Sequence, residues 1–489
     1  MSAVNPVPEH HRQLFVGGKW RAAASGKAFD VFNPATGEVF AQAASGDAED
    51  VDAAVRAARE AFERGPWRTT SPMERSRLLW KLSDVIEAHA AELALLETLD
   101  NGMPLWLAQM WNIPKAVECL RYYSGWPMRL TGETLPVSSP GEYHTYTRKE
   151  PIGVVGQIVA WNMPFGMAVG KIAPALAAGC TVVLKPAEQT PLSAIRLGEL
   201  IQEVGFPDGV VNIVTGTGEA AGRPLVEHPD VDKIAFTGST RVGKSILSAA
   251  GGTLKRVTLE LGGKSPVFIF PDADLEAATT AAANGIFINT GQICAAGSRL
   301  FIHERIYDRV MEGVLGRARD LKIGPGAQPD TFMGPLVSAQ QLERVTGYVR
   351  SGKEQGAEIV CGDQALPEKG YFVRPTILSN VRPEMTVMRE EIFGPVVCSL
   401  RFGDDDLDVI ARAANDTSYG LSAYIWTSNV STAHKLASRI KAGSISVNGG
   451  AGMDFTMPFG GFKQSGLGRE HGQEGAEAYT ETKTVSITL

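Results

Sequence analysis

The sequence predicts an α/β protein built on buried parallel sheets, and three features carry that prediction. Short apolar, β-branched runs alternate with helical segments from about residue 151 to 261. A second alternation of the same kind begins at about residue 263. Glycines punctuate the changes from one kind of segment to the other. Strands that read as unbroken apolar runs are covered on both faces, and in βαβ units helices provide the cover.

Residues 8–45 read as short strands and turns, around Gly17-Gly18 and Asn33-Pro34-Ala35-Thr36-Gly37. Residues 48–127 hold long Ala/Leu/Glu/Arg segments whose apolar positions recur three and four apart, the helical period. The first alternation then predicts strands at 153–159, 181–184, 210–214 and 233–236, with helices at 165–178, 191–204, 219–227 and 241–250. The second predicts strands at 267–270, 299–303, 396–402, 422–426 and 444–447. Residues 130–149 interrupt the first series and contain an alternating run, Tyr143 to Thr147; residues 483–489 alternate as well. Two exposed edge strands are an aggregation hazard in a monomer. Pairing between subunits relieves it, so the pattern predicts a homo-oligomer, dimer or tetramer.

The chain has 489 residues, enough for two or three domains with a sizeable core. A formal net charge of -7, with no lysine or arginine run to offset it, argues against a nucleic-acid partner. Cys119, Cys180, Cys294, Cys361 and Cys398 lie far apart, form no CxxC, and make no ligand pair with the histidines. Neither a disulfide framework nor a metal site is expected, and a reducing compartment fits best. The first residues are polar and broken by proline, unlike a secretory signal. The longest apolar stretch, 172–184, is shorter than the roughly 20 residues needed to cross a bilayer. It reads as a buried helix running into a buried strand. No membrane partner and a cytoplasmic location are therefore expected.

Two stretches compete as nucleotide sites. Gly238-Ser239-Thr240-Arg241-Val242-Gly243-Lys244-Ser245 matches the phosphate-loop pattern GxxxxGK[ST] after a strand and before a helix. It makes a P-loop ATPase, with Lys244 on the phosphates, a rival reading. Gly216-Thr217-Gly218-Glu219-Ala220-Ala221-Gly222 is a looser GxGxxxG. Both place helix N-termini, with free N–H groups and a positive dipole end, where phosphate can bind.

Elsewhere, Cys294 lies among small uncharged residues in the run 289–299, and Glu260 precedes Leu261-Gly262-Gly263-Lys264. A thiol and a carboxylate beside glycines, with a separate dinucleotide-type region, are parts for attack on a carbonyl, hydride removal and acyl-enzyme hydrolysis. Seven blocks in order then resemble one family. They are Ala160-Trp161-Asn162-Met163-Pro164-Phe165, Lys185-Pro186-Ala187-Glu188, Phe236-Thr237-Gly238-Ser239-Thr240, Leu259-Glu260-Leu261-Gly262-Gly263-Lys264, Gly291-Gln292-Ile293-Cys294, Glu390-Glu391-Ile392-Phe393-Gly394-Pro395, and the run from Pro458 to Gly466. In these the chain resembles the NAD(P)-dependent aldehyde dehydrogenase superfamily over nearly its whole length. It looks most like bacterial phenylacetaldehyde and related hydrophobic-aldehyde dehydrogenases.

The resemblance implies a Rossmann-like cofactor domain (1–129 and 151–261), an α/β catalytic domain (262–457) and a small β extension for oligomerisation and bridging (130–150 and 458–489). It makes Cys294 the nucleophile, Asn162 the oxyanion donor and Glu260 the general base for the deacylating water. Coenzyme-A-acylating relatives lack that glutamate, so a free acid is implied as product. Lys171 and Glu470 correspond to a pair that positions groups and relays protons behind the site. Lys185 and Glu188 match adenosine-ribose contacts. Glu188 accepts from a 2′-hydroxyl and repels a 2′-phosphate, so NAD is expected and NADP disfavoured. Ser239 matches a pyrophosphate contact, and Glu391 and Phe393 the nicotinamide-ribose contacts. Trp161, Gly238, Gly243 and Leu261 belong to the same cofactor site. The substrate tunnel would be lined by Trp111, Met163, Met167, Phe455, Met457 and Phe459, an adaptable apolar set. Gly170 stands where several relatives carry tryptophan, which implies a wider tunnel for a ring or branched chain. The expected substrate is an arylacetaldehyde, a benzaldehyde or a terpenoid aldehyde. A catalytically silent member of the same fold is the remaining reading, and the intact Cys294, Glu260 and Asn162 set argues against it.

Overall fold

The strand Val154–Ile158 is the point from which the first sheet grows in both directions. In the computed structural model, which describes residues 6–361, 365–404, 406–450 and 454–489, the chain steps outward on one side through Thr181–Lys185 and Val211–Ile213. It then crosses back to lay Lys233–Thr237 and Arg256–Glu260 on the other side, all five strands parallel. Leu14–Val16 and Lys19–Arg21 finish one edge. Gly466–Leu467 finishes the other, antiparallel to Arg256–Glu260. The order reverses at Val154–Ile158, and in such sheets ligands bind outside the carboxyl ends of the strands at that reversal.

The apolar runs form strands because both of their faces are covered. Val154, Val183 and Ile234 pack into one core, while Val155, Val182 and Leu184 pack into another on the opposite side. The stretch 172–184 is, as expected, a buried helix end and a buried strand. The helix Pro164–Ala178 starts with proline in its first turn and stops at Gly179, whose φ is 96°. These are the residue types that each end favours.

The second sheet repeats the plan. Pro266–Ile269 is flanked on one side by Arg299–His303, Val396–Phe402 and Thr376–Ser379, and on the other by Ser422–Trp426 and Ser444–Val447, all parallel. Four of these strands coincide with the expected ranges residue for residue. Thr376–Ser379 and the two-residue Glu358–Ile359 were not anticipated. The helical block forms as its spacing predicts, and two of its helices begin with complete capping boxes, Asp47 with Asp50 and Ser71 with Glu74.

One expectation is corrected. The alternating runs near 143 and 483 do not wait for a neighbouring subunit. Tyr143–Pro151 pairs antiparallel with Thr480–Thr488 along its whole length, within one chain. Each supplies the other with the ladder partner that the edge lacked, and Thr145 Oγ1 and Ser486 Oγ meet at 2.9 Å across it. Thr134–Leu135 completes this third sheet. The 458–489 segment also serves the first sheet through Gly466–Leu467 before it reaches the extension. Among the described residues, no helix is long and apolar enough to cross a membrane.

Candidate active site

The loop that carries Cys294 is held in a strained conformation. Asn289, Thr290 and Gly291 have φ of 50°, 57° and 69° in succession. Asparagine and glycine tolerate this region; a β-branched threonine does so at a cost. The surroundings fix it. Thr290 Oγ1 donates to the Gly334 carbonyl at 2.9 Å, and Asn289 Nδ2 donates to the Asn162 carbonyl at 2.9 Å. A side chain on Gly291 would approach the Gly394 carbonyl oxygen to 2.2 Å, so only glycine passes there. The Gln292 side chain is held from both ends, its amide donating to Asn289 O and its oxygen accepting from Val337 N.

The same network orients Asn162. Its Nδ2 donates to the Gln292 carbonyl at 2.9 Å, and the residue is 3% exposed. A carboxamide nitrogen carries two hydrogens. With one fixed on Gln292, the group is held as it faces the cavity that it lines. Cys294 is half-buried, whereas the other four cysteines are buried in the core, as expected. Burial pushes the Cys294 thiol up to about 12, helped by the charges of Glu391 and Glu260, so at rest it is protonated.

Glu260 ends the strand Arg256–Glu260 and is buried, and neither of its carboxylate oxygens has a partner among the described residues. A side chain at Gly460 would reach 2.7 Å from its Oε1. Burial, with the Glu470 charge second, raises Glu260 well above the usual carboxylate range, against the opposing pull of Lys171. Lys171 is buried and forms an ion pair with Glu470 Oε1. A half-buried thiol, a clamped carboxamide and an unpaired carboxyl thus border one cavity of about 890 Å³. The expected tunnel residues Trp111, Met163, Met167, Gly170, Phe455, Met457 and Phe459 all line it, as does Leu261.

The other residues expected to bind the cofactor lie outside this cavity, most of them where the first sheet's strands end. Lys185 closes its strand and is buried; its Nζ donates to Pro186 O at 2.8 Å and meets Glu188 Oε2 at 3.4 Å. Burial lowers the Lys185 ammonium. Gly238 and Ser239 join the strand Lys233–Thr237 to the helix Thr240–Ala250, and the Ser239 Oγ caps Val242 N. Gly243 lets this helix approach its neighbour, since a Cβ there would come within 2.6 Å of Leu261. Across the cleft, Glu391 Oε1 accepts from Gly263 N at 2.8 Å, and burial pushes its carboxyl up to about 7. The Phe393 ring meets Trp161 edge-on, centroids 5.2 Å apart. Exposed helix-end N–H groups, a buried cation beside a carboxylate and an aromatic wall suit a dinucleotide laid across the strand ends.

The P-loop reading fails on local geometry. A phosphate loop needs its glycine-bounded residues unwound so that their N–H groups ring the phosphates. Here the helix already starts at Thr240, and Gly243 N donates to Ser239 O inside it. Lys244 is an exposed residue of that helix. Two features escaped the sequence reading. The Asn289 and Gln292 clamp depends on positive φ, for which only Gly291 gave a signal. His471 lines the cavity, and nothing in the surrounding sequence marks it.

Known proteins share this sequence and fold over nearly their whole length. The family described as "Aldehyde dehydrogenase family" matches residues 20–485. The Bacillus subtilis (strain 168) protein DhaS is 52% identical over 478 residues, covering 98% of this chain and 96% of that one. The human mitochondrial aldehyde dehydrogenase is 46% identical over 490 residues, covering 100% and 94%. The NAD+ complex of an aldehyde dehydrogenase from Bacillus cereus superposes with a TM-score of 0.96 at 48% identity, over 98% of this chain and 97% of that one. On sequence and fold together, the chain belongs to the aldehyde dehydrogenase family.

Proposed function

We propose that this chain oxidises a hydrophobic aldehyde, aromatic or terpenoid, to the free carboxylic acid with NAD+. The observation that carries the proposal is the meeting of Cys294, Asn162 and Glu260, whose carboxyl is buried and unpaired among the described residues, on one largely apolar cavity.

Cys294 Sγ adds to the aldehyde carbon, and the thiol proton leaves to a carboxylate or to water. The free N–H of Asn162 and the Cys294 backbone N–H stabilise the oxyanion of the hemithioacetal. One such donor is worth about 3–4 kcal/mol in other enzymes. NAD+, when bound, would supply the acceptor for the hydride that the hemithioacetal carbon gives up. The resulting thioester on Cys294 is then hydrolysed by water that Glu260 deprotonates. Glu470 and its partner Lys171 tune Glu260 electrostatically and carry its proton onward. The residues fit the cofactor: Ser239 and the first turn of its helix would hold the pyrophosphate, and Lys185 and Glu188 the adenosine ribose. Gly238, Gly243, Trp161 and Leu261 would shape the cleft, and Glu391 and Phe393 would hold the nicotinamide end. Glu188 favours NAD over NADP by repelling a 2′-phosphate.

The wide, methionine-bearing tunnel supports a bulky apolar substrate. A Cβ on Gly170 would meet nothing within 4 Å. The wide sequence spacing of the five cysteines, with no CxxC among them, supports a reducing, cytoplasmic setting. The strand Thr480–Thr488 lies at the margin of its sheet. That open edge supports a homo-oligomer, dimer or tetramer, joined through the 130–150 and 458–489 extension, with cofactor and catalytic domains at the boundaries expected above. The test is NADH formation with phenylacetaldehyde, benzaldehyde, citral and hexanal, for the native chain and Cys294→Ala. Turnover that favours the ring and branched aldehydes and vanishes in the variant is the expected result. Equal or better turnover of hexanal overturns the substrate assignment, and turnover surviving in Cys294→Ala overturns the nucleophile.

A further inference from the structure

One imidazole faces the cavity from between two of its aromatic residues. His471 is 8% exposed, lines the cavity, and sits against two of its aromatic walls. The Phe455 ring lies edge-on at 4.8 Å, and the Phe459 ring at 5.9 Å. Its Nδ1 is buried with no hydrogen-bond partner. No described residue bonds Nε2 either, yet Nε2 is not among the atoms buried without a partner, so it is the nitrogen that reaches open space. A core histidine normally satisfies its nitrogens; this one does not. Burial lowers its pKa, with Lys171 assisting and Glu470 opposing, which leaves a neutral ring with one donor and one acceptor.

The backbone says that this placement is maintained against strain. His471 has φ 59° and ψ 176°, a region essentially reserved for glycine. It is held there by Gly472 N donating to Phe455 O and Gly475 N donating to His471 O. Strain of this kind gathers at functional positions. The ring also borders a small recess shared with Gly170, Pro174, Glu470 and Tyr479. Gly170 adds no side chain to this space. Pro174, one helical turn on, lacks the N–H that would close the helical hydrogen bond on the Gly170 carbonyl. The recess is too small to admit a water molecule, so a group that meets the ring would do so from the main cavity.

We infer that His471 reads a hydroxyl group on the body of the aldehyde, so that the preferred substrates are hydroxylated aromatic aldehydes rather than plain hydrocarbon ones. A hydroxyl both donates and accepts, and so can satisfy the free imidazole nitrogen in either tautomer. An unsubstituted ring leaves that nitrogen desolvated and unpaired, and sites built to bond a substrate hydroxyl reject the analogue that lacks it. His471 is a specificity-determining residue here and takes no part in the bond changes at the aldehyde carbon. This rests on the hydrophobic-aldehyde reading given above.

The test compares kcat/KM for phenylacetaldehyde with that for its 3- and 4-hydroxy derivatives, in the native chain and in His471→Leu and His471→Gln. The native chain is expected to favour one hydroxy derivative at least tenfold. That ratio should fall towards one in His471→Leu and recover in part in His471→Gln, which keeps a hydrogen-bonding group. Turnover of all three aldehydes by the native chain with ratios near one overturns the role of His471 alone. A ratio that survives in His471→Leu, with all substrates slowed alike, overturns it too, because a purely structural histidine gives that result. No NADH from any of the three overturns the hydrophobic-aldehyde reading as well. The native-chain ratio stands even if a variant fails to fold.

Discussion

Lys171 and Glu470, 299 positions apart in sequence, form an ion pair immediately behind the buried Glu260. The two charges act on Glu260 in opposite senses: Glu470 raises its pKa, and Lys171 lowers it. Glu260 must lose its proton to act as a base, so acyl-enzyme hydrolysis should rise with pH through its pKa. Glu470→Gln removes a like charge and should move that rising limb to lower pH. Lys171→Met removes the opposing charge and should move it to higher pH. Single-turnover hydrolysis of the acyl-enzyme across pH checks both. Shifts in the same direction would mean that the pair does not act electrostatically.

Asn162→Ala should lower kcat by about 10²–10³, the usual loss for one oxyanion donor. Asn162 also links its own loop to the Cys294 loop through Gln292 O. The alkylation rate of Cys294 by iodoacetamide therefore distinguishes the two roles. An unchanged alkylation rate with a lower kcat fits the oxyanion role, and a changed rate points to a displaced Cys294 loop.

Gly170→Trp should refill the tunnel. The nearest atoms to a Cβ at this position are more than 4 Å away, so the ring enters free space and not packed core. Phenylacetaldehyde should lose at least tenfold in kcat/KM, while propanal should keep most of its rate. Equal losses on both aldehydes would show that Gly170 does not border the substrate.

Glu97 gives a prediction about stability that is independent of the chemistry. It is buried, accepts from Asn112 Nδ2 at 2.6 Å, and burial pushes its carboxyl up to about 7. An unfolded glutamate titrates near about 4.3. Between those values the unfolded chain ionises first. The contribution of Glu97 is therefore complete below about pH 4 and is lost as pH rises towards 7, by about 1.4 kcal/mol per pKa unit. Glu97→Gln should flatten this slope in urea unfolding. An unchanged slope would assign the proton uptake to other groups.

Much of the fold was legible because its strands are buried on both faces. Arg299–His303, Val396–Phe402 and Ser422–Trp426 are continuous apolar runs at their cores, each too short for a typical helix. Thr376–Ser379 and Gly466–Leu467 were not legible, because two to four residues carry no period and their pairing is decided by neighbours far away in sequence. The pairing of 143–151 with 480–488 was visible as two alternating runs, but not as a pair within one chain, since alternation specifies a face and not a partner. In the site, Cys294, Glu260 and Asn162 stand in motif blocks that mark them. The strain that presents them does not show in sequence, because Asn289, Thr290 and His471 adopt positive φ only under tertiary constraint. His471 was missed for that reason, having no motif around it.

The central claim is that a thioester forms on Cys294 and that Glu260 releases it. Its most direct test is intact-protein and peptide mass spectrometry of Glu260→Gln after mixing with NAD+ and phenylacetaldehyde. A base removed from the hydrolytic step should slow release by about 10²–10⁴. The account predicts a burst of NADH and one phenylacetyl group on the peptide that contains Cys294, discharged by hydroxylamine. A burst with no acyl group on Cys294, or turnover at the native rate with none accumulating, would contradict it.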